Sequence, residues 1–150
     1  MVNYHHRQTG WVMLLAIGAA ALVQVILFGA LASVLPAMAF LVAVAVVAVI
    51  GLIAWIGSSL TVDVTDSEVV WYFGPGLWQH RIARADIATS APVRNKWWYG
   101  YGMRYFGRGS WLYNVSGLDA VEIRLKDGRW RRIGTDDPQD LAAALQGKGR

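Results

Sequence analysis

The chain has no cysteine, which excludes disulfides, thiolate metal sites and a cysteine nucleophile. Charge is scarce as well: 16% of the 150 residues are charged against 55% hydrophobic, an apolar balance for a soluble protein. The scarcity is local. No charged residue lies between Trp11 and Ile56, whereas 13 of the 14 basic residues and all 10 acidic ones lie beyond position 60. Residues 1–57 therefore read as an N-terminal tail with an apolar anchor, and residues 58–150 as a polar, globular domain ending in a flexible tail at 146–150.

The apolar run is too long for one membrane crossing. As a helix it would extend roughly 70 Å, against a hydrocarbon core of about 30 Å. Pro36, disfavoured inside a helix but suited to its first turn, marks the place to double back. Spans are expected at about 11–31 and 37–56, with Trp11 and Trp55 as interfacial anchors. Arg7 before the first span, the uncharged turn and the net basic domain after the second put both termini in the cytoplasm. The rival, cleavage at the signal-peptidase-like Ala30-Leu31-Ala32, requires a shorter apolar core than this one. Ala16/Ala20, Ala39/Ala43 and Gly51 offer small surfaces for helix contact, and Gln24 a hydrogen bond within the hairpin or to another subunit. The spans lack the charges of proton pathways.

From Leu60 the hydrophobic period becomes two. "LTVDVT", "VVWYF", "LWQHRIA" (Trp78, His80 and Ile82 on one face), "IATSAPV" (Ile87, Thr89, Ala91, Val93), "SWLYNV" and "AVEIRL" read as strands. Asp127-Gly128 is a two-residue hairpin signal. Beyond it Trp130 and Ile133 are three apart, so a bulge at Arg131-Arg132 is expected to bring both inward. Asp137 is expected to cap a final helix, with Pro138 at its first position and Leu141 and Leu145 on its apolar stripe.

This order, with "YGYGMRYFGRGSWLYNVSG" and "VEIRLKDGRWRRIGTDDPQDL", resembles bacterial membrane proteins in which a pleckstrin-homology-like (PH-like) domain follows two spans. The resemblance covers about residues 60–147. It implies an α+β membrane protein: a transmembrane hairpin, then a mainly antiparallel PH-like β-barrel of about seven strands capped by a C-terminal helix. It also implies a non-catalytic role in tethering or assembly at the bacterial inner membrane. Phosphoinositide recognition does not carry over, because the first hairpin turn is Asp66-Ser67-Glu68 where the eukaryotic pocket is basic.

Chemistry-bearing groups are few. Asp136-Asp137 precede Pro138 and suit capping. His5-His6 have no further metal ligands nearby in sequence, and His80, in phase with core residues, reads as a barrel histidine. Gly100, Gly102, Gly107 and Gly109 follow no strand-to-helix phosphate-loop pattern. Asn114-Val115-Ser116 matches a glycosylation sequon on the expected cytoplasmic side. No enzyme, cofactor or metal is expected. A formal net charge of +4 and the tether argue against nucleic acid.

The candidate site is aromatic and basic. Eight aromatic residues fall between Trp97 and Tyr113. Trp111, Tyr113 and Val115 suit a strand over a core. Arg94, Lys96, Trp97, Trp98, Tyr99, Tyr101, Arg104 and Arg108 are left for binding, since adjacent Trp97 and Trp98 in a strand point to opposite faces. The favoured function is docking of a membrane or cytoplasmic protein partner, with Arg124, Lys126, Arg129 and Arg131 as a basic rim. The alternative is contact with anionic lipid through residues 94–108. Self-association remains a third option.

Overall fold

The computed structural model of the protein describes residues 2–31 and 37–147. Two 21-residue helices, α1 (Trp11–Leu31) and α2 (Ala37–Gly57), occupy the expected spans. Each is about 30 Å long, enough for a bilayer core. Neither is covered by the rest of the chain, so their apolar surface faces outward. Ala43 is buried between them, whereas Ala16, Ala20 and Gly51 are exposed. Gln24 lines the seam between the helices, and the expected hydrogen bond within the hairpin is not made among the described residues. The expected turn at Pro36 lies outside the described residues.

The polar part forms two sheets. One has the order β1-β2-β3-β4, from strands Val2–Thr9, Ser59–Thr65, Glu68–Phe73 and Gln79–Ala83. The other has the order β5-β8-β9-β7-β6, from Ile87–Arg94, Asp119–Leu125, Trp130–Gly134, Trp111–Asn114 and Gly102–Tyr105. All pairings are antiparallel except β7 with β9. The sheets therefore hold nine strands among the described residues, not about seven. Helix α3 (Pro138–Leu145) packs on β5, β8 and β1.

Residues 2–9, grouped with the anchor on sequence grounds, are strand β1, an edge partner of β2 running from Val2↔Thr65 to Thr9↔Ser59. The whole helical hairpin is thus inserted between two neighbouring antiparallel strands. Only Gly10 separates β1 from α1 and only Ser58 separates α2 from β2, and the Gly10 N–H donates to the Ser58 carbonyl at 2.7 Å. Gly74, in the turn after β3 with φ +52°, lies directly against the Ile56 carbonyl, where a Cβ would clash. The β domain is seated on the helix ends without a free linker.

Between the sheets, Leu60, Val62, Val64, Val69 and Trp71 from the first meet Tyr113, Val121, Ile123 and Ile133 from the second, with Leu141 and Leu145 of α3. The core residues alternate along β2 and β3, and Ser59 and Thr61 on the other face of β2 are buried as well. Arg84 terminates α3 by donating to the Ala144 and Leu145 carbonyls at 3.1 and 2.9 Å, and to the Thr65 carbonyl at 3.1 Å. A cation at a helix C-terminus satisfies orphan carbonyls and complements the dipole.

Several local expectations are corrected. The β8–β9 ladder is regular from Ala120↔Gly134 to Arg124↔Trp130, with no bulge at Arg131-Arg132. Alternation then turns Trp130 to the outer face, where it stacks under Arg132, and sends Arg131 inward with Ile133. A register shift lies instead in β5, between Ile87 and Thr89, and breaks the expected alternation there. Trp78 precedes β4 and is exposed, so it lies outside the strand core that Ile82 joins, although it borders a compartment with His80. Lys126, Asp127 and Gly128 make a three-residue loop, closed by Leu125 N–H to the Arg129 carbonyl at 2.8 Å, with Gly128 left-handed at φ +84°. The Asp137 side chain does not cap α3, because its φ/ψ of −129°/64° is not the extended cap geometry. It accepts from the Tyr4 hydroxyl at 3.3 Å instead. Burial, and then the nearby Asp137 charge, push the Tyr4 phenol well above its ordinary range.

Candidate functional site

The aromatic stretch divides into three groups once folded. Trp97, Trp98 and Tyr99 form a 3-10 turn between β5 and β6, not a strand, so strand alternation does not govern them. Trp97 and Trp98 are 77% and 56% exposed and meet edge to face, centroids 5.8 Å apart. The Lys96 ammonium sits 5.0 Å from the Trp98 ring centre, a cation–π distance.

The second group covers the outer face of the five-stranded sheet. Tyr99 packs on Phe106 at 4.9 Å and Phe106 on Trp130 at 5.4 Å. Leu112 alternates with the inward Trp111 and Tyr113 and so lies on this outer face, yet it is fully buried. Arg104 lies on the same face with its guanidinium against Gly100. The third group, Trp111 and Tyr113, lines the space between the sheets, and Tyr113 meets Trp71 edge-on at 5.3 Å. Tyr101 and Tyr105 are exposed on or beside the edge strand β6.

Strand register fixes the end of the domain from which the 95–101 loop emerges. Gly74 N–H donates to the Ser59 carbonyl, so the β3–β4 turn with exposed Leu77 and Trp78 adjoins the helices. Gly10 lies against Val115, just past β7. Asn114 is opposite Gly102, the first residue of β6, and Asp119 is opposite Arg94, the last of β5. Asn95 N–H donates to the Leu118 carbonyl. The loop bearing Trp97 and Trp98 therefore starts and finishes at the end where α1 and α2 attach.

The basic residues are dispersed. Arg94 is exposed at the end of β5 and Lys126 in the β8–β9 turn. Arg108, at φ 49°, occupies the β6–β7 turn at the opposite end from the helices. Of the expected rim, Arg124 pairs with Glu122 at 2.9 Å and Arg129 with Asp127, so neither charge stands alone. Arg132 also binds Glu122, at 2.7 Å. Burial pushes the Glu122 carboxyl up, but hydrogen bonds from Arg132 and Arg124 outweigh it and hold the group below its usual range. Arg131 turns toward the inter-sheet space, and there it also borders a pocket shared with Lys126, Asp127 and Arg129 of the expected rim.

That space brings together residues that sequence reading assigned separately to the core and to the rim. Along the side away from α3, the unpaired edges β4 and β6 border a cleft of about 390 Å³ lined by Trp71, His80, Met103, Trp111, Tyr113 and Arg131. His80 stacks on Trp71 at 5.7 Å and lies 4.8 Å from the Tyr113 ring. Burial, then the Arg131 charge, lower the His80 pKa. The signal was present: Arg131 is two residues from Ile133, in phase with the core face. His5 and His6 do other work, bonding to Asp63 on β2 and Asp136 before α3. Among the described residues no group of three or more His, Asp or Glu side chains is arranged to hold a metal.

Comparison with protein families, with curated proteins and with solved structures finds no match to this chain.

Proposed function

We propose that the protein is a non-catalytic membrane-anchored module whose β domain rests on an anionic leaflet, with Lys96, Trp97 and Trp98 in the lipid headgroup region. The observation that carries this reading is the shared end: the exposed rings and the transmembrane helices leave the β domain together. Indole rings favour the membrane interface, and each nearby Lys or Arg adds about 1 kcal/mol against an anionic surface. Leu77 and Trp78 in the adjacent turn extend the same apolar rim. The pairing of β1 with β2 supports a two-span topology with both flanks on one side, and the flanking charges support the cytoplasmic face of a bacterial inner membrane. Two spans, a pair of mainly antiparallel sheets and a closing helix support a PH-like assignment, although the parallel β7–β9 pair departs from a simple meander.

The absence of cysteine makes a direct test simple. Single-cysteine variants Trp98→Cys, Trp78→Cys and Ser67→Cys of the full chain, spin-labelled in anionic nanodiscs, report collision with oxygen and with a water-soluble nickel complex. Labels at 98 and 78 are expected to be lipid-accessible, with 67, at the far end, aqueous. A label at 98 as aqueous as that at 67 refutes the reading.

A second reading, protein docking, is favoured by the ring string Tyr99–Phe106–Trp130, which runs along the outer sheet face away from the helices. A photocrosslinker at position 106 in native membranes is expected to trap one discrete protein if that face docks a partner. Lipid adducts alone, or none, count against it.

A further inference from the structure

The two long sides of the β domain are closed differently. On one, α3 fills the gap between β1 and β5. On the other, between β4 and β6, the cleft around Trp71 and Arg131 stays open and continues toward the helices. A second compartment of about 560 Å³ shares His80 and Met103 with the first and is walled by Phe73, Trp78 and the α2 end at Ile56 and Gly57. Both volumes fall in the range of small-molecule sites. The compartment nearer the membrane is apolar; the one above it is aromatic and cationic.

Arg131 is the unusual wall residue. Its Nη1 donates to the Gly109 and Trp130 carbonyls, while Nε and Nη2 have no hydrogen-bond partner and no carboxylate pairs with it among the described residues. Trp71, lining the same compartment and 1% exposed, has an indole N–H that is buried without an acceptor. Leaving a buried donor unpaired is costly, and Asp127, whose charge Arg131 feels, pairs with Arg129 instead. Both are donors short of an acceptor; the Trp71 N–H is enclosed, so the free donors that border the cleft are those of Arg131. Arg81, exposed at its rim, adds to the positive field.

We propose that this cleft binds a single-chain anionic amphiphile, its phosphate or carboxylate head at Arg131 and its hydrocarbon chain running past Met103 toward Phe73 and Ile56. The site is distinct from the 95–101 loop. It reads a lipid one molecule at a time, whereas the loop reads a surface. The geometry explains why an arginine occupies a core-facing strand position, and why the apolar compartment abuts the end of α2, where lipid is at hand under the membrane reading.

The test uses the full chain in uncharged detergent micelles, so it does not depend on how the loop meets a bilayer. Oleoyl lysophosphatidate and oleoyl lysophosphatidylcholine, identical in chain and different in head charge, are presented at equal concentration and adducts are counted by native mass spectrometry. The wild type is expected to prefer the anionic lipid by about tenfold, and Arg131→Gln to reduce that preference to about twofold or less. Met103→Trp, at an exposed edge position that tolerates bulk, is expected to block both adducts by filling the cleft. Glycerol 3-phosphate, a head without a chain, is expected to displace neither lipid. No preference in the wild type, full preference in Arg131→Gln, or unchanged adducts in folded Met103→Trp overturns the proposal. Displacement by glycerol 3-phosphate overturns its hydrocarbon half and leaves a plain phosphate site.

Discussion

The side of the β domain closed by α3 and the side left open between β4 and β6 solve the same geometric problem in opposite ways. Two sheets packed face to face must cover the apolar rim where their edges diverge. On the closed side, Leu141 and Leu145 fill the rim and Arg84 holds the last turn of α3 down by its carbonyls. On the open side the rim carries His80, Met103 and Arg131, and a cleft remains between them. Packed side chains are concentrated on the first side, and open volume on the second.

Substitution can break this contrast. Leu141→Ala is expected to have the largest effect, about 3 kcal/mol of lost stability from a fully buried leucine, measured by denaturant unfolding of the full chain in micelles. Arg84→Ala comes next. It leaves two helix-end carbonyls and the Thr65 carbonyl without their charged donor, at about 1.5 kcal/mol in the same assay.

On the open side the effect is a pH dependence. The His80 pKa is lowered in the folded state, so the unfolded chain takes up its proton first as pH falls below about 6.5. The stability held by neutral His80 is complete above that value and is lost as pH drops toward the folded pKa. His80→Gln is therefore expected to shrink the fall in Tm between about pH 7 and about pH 5. Equal falls in both proteins would show that His80 does not titrate in this cleft. The smallest effect is expected for Met103→Ala, within about 0.5 kcal/mol of wild type. A loss rivalling that of Leu141→Ala would erase the distinction between the sides.

The candidate site was legible in composition and not in placement. The density of aromatic residues from Trp97 to Tyr113 marks a special segment, but composition does not tell a surface ring from a covering one. Trp97 and Trp98 are exposed because they occupy a short turn, whereas Tyr99 and Phe106 join a string of rings that ends on Trp130 of β9. Arg131 shows the limit most clearly. An arginine in phase with Ile133 looks like a patterning fault, and a bulge at 131–132 is the local remedy. The regular ladder keeps the arginine inward because an open cleft, invisible from one strand, gives its guanidinium room.

What the sequence determined by itself is what contiguous residues decide: two apolar helices of bilayer length, a chain reversal at Asp127-Gly128, most of the period-two strands after Leu60 and the proline-started final helix. Each depends on neighbours within one or two turns, or on transfer of an uninterrupted run from water to hydrocarbon. Tertiary structure alone decided that the polar segment Val2–Thr9 is a strand, because its partner β2 lies beyond the whole helical hairpin. It also decided which end carries Trp98 and which face carries Arg131. Strand register and sheet order set those positions, and both are settled between residues far apart in the chain.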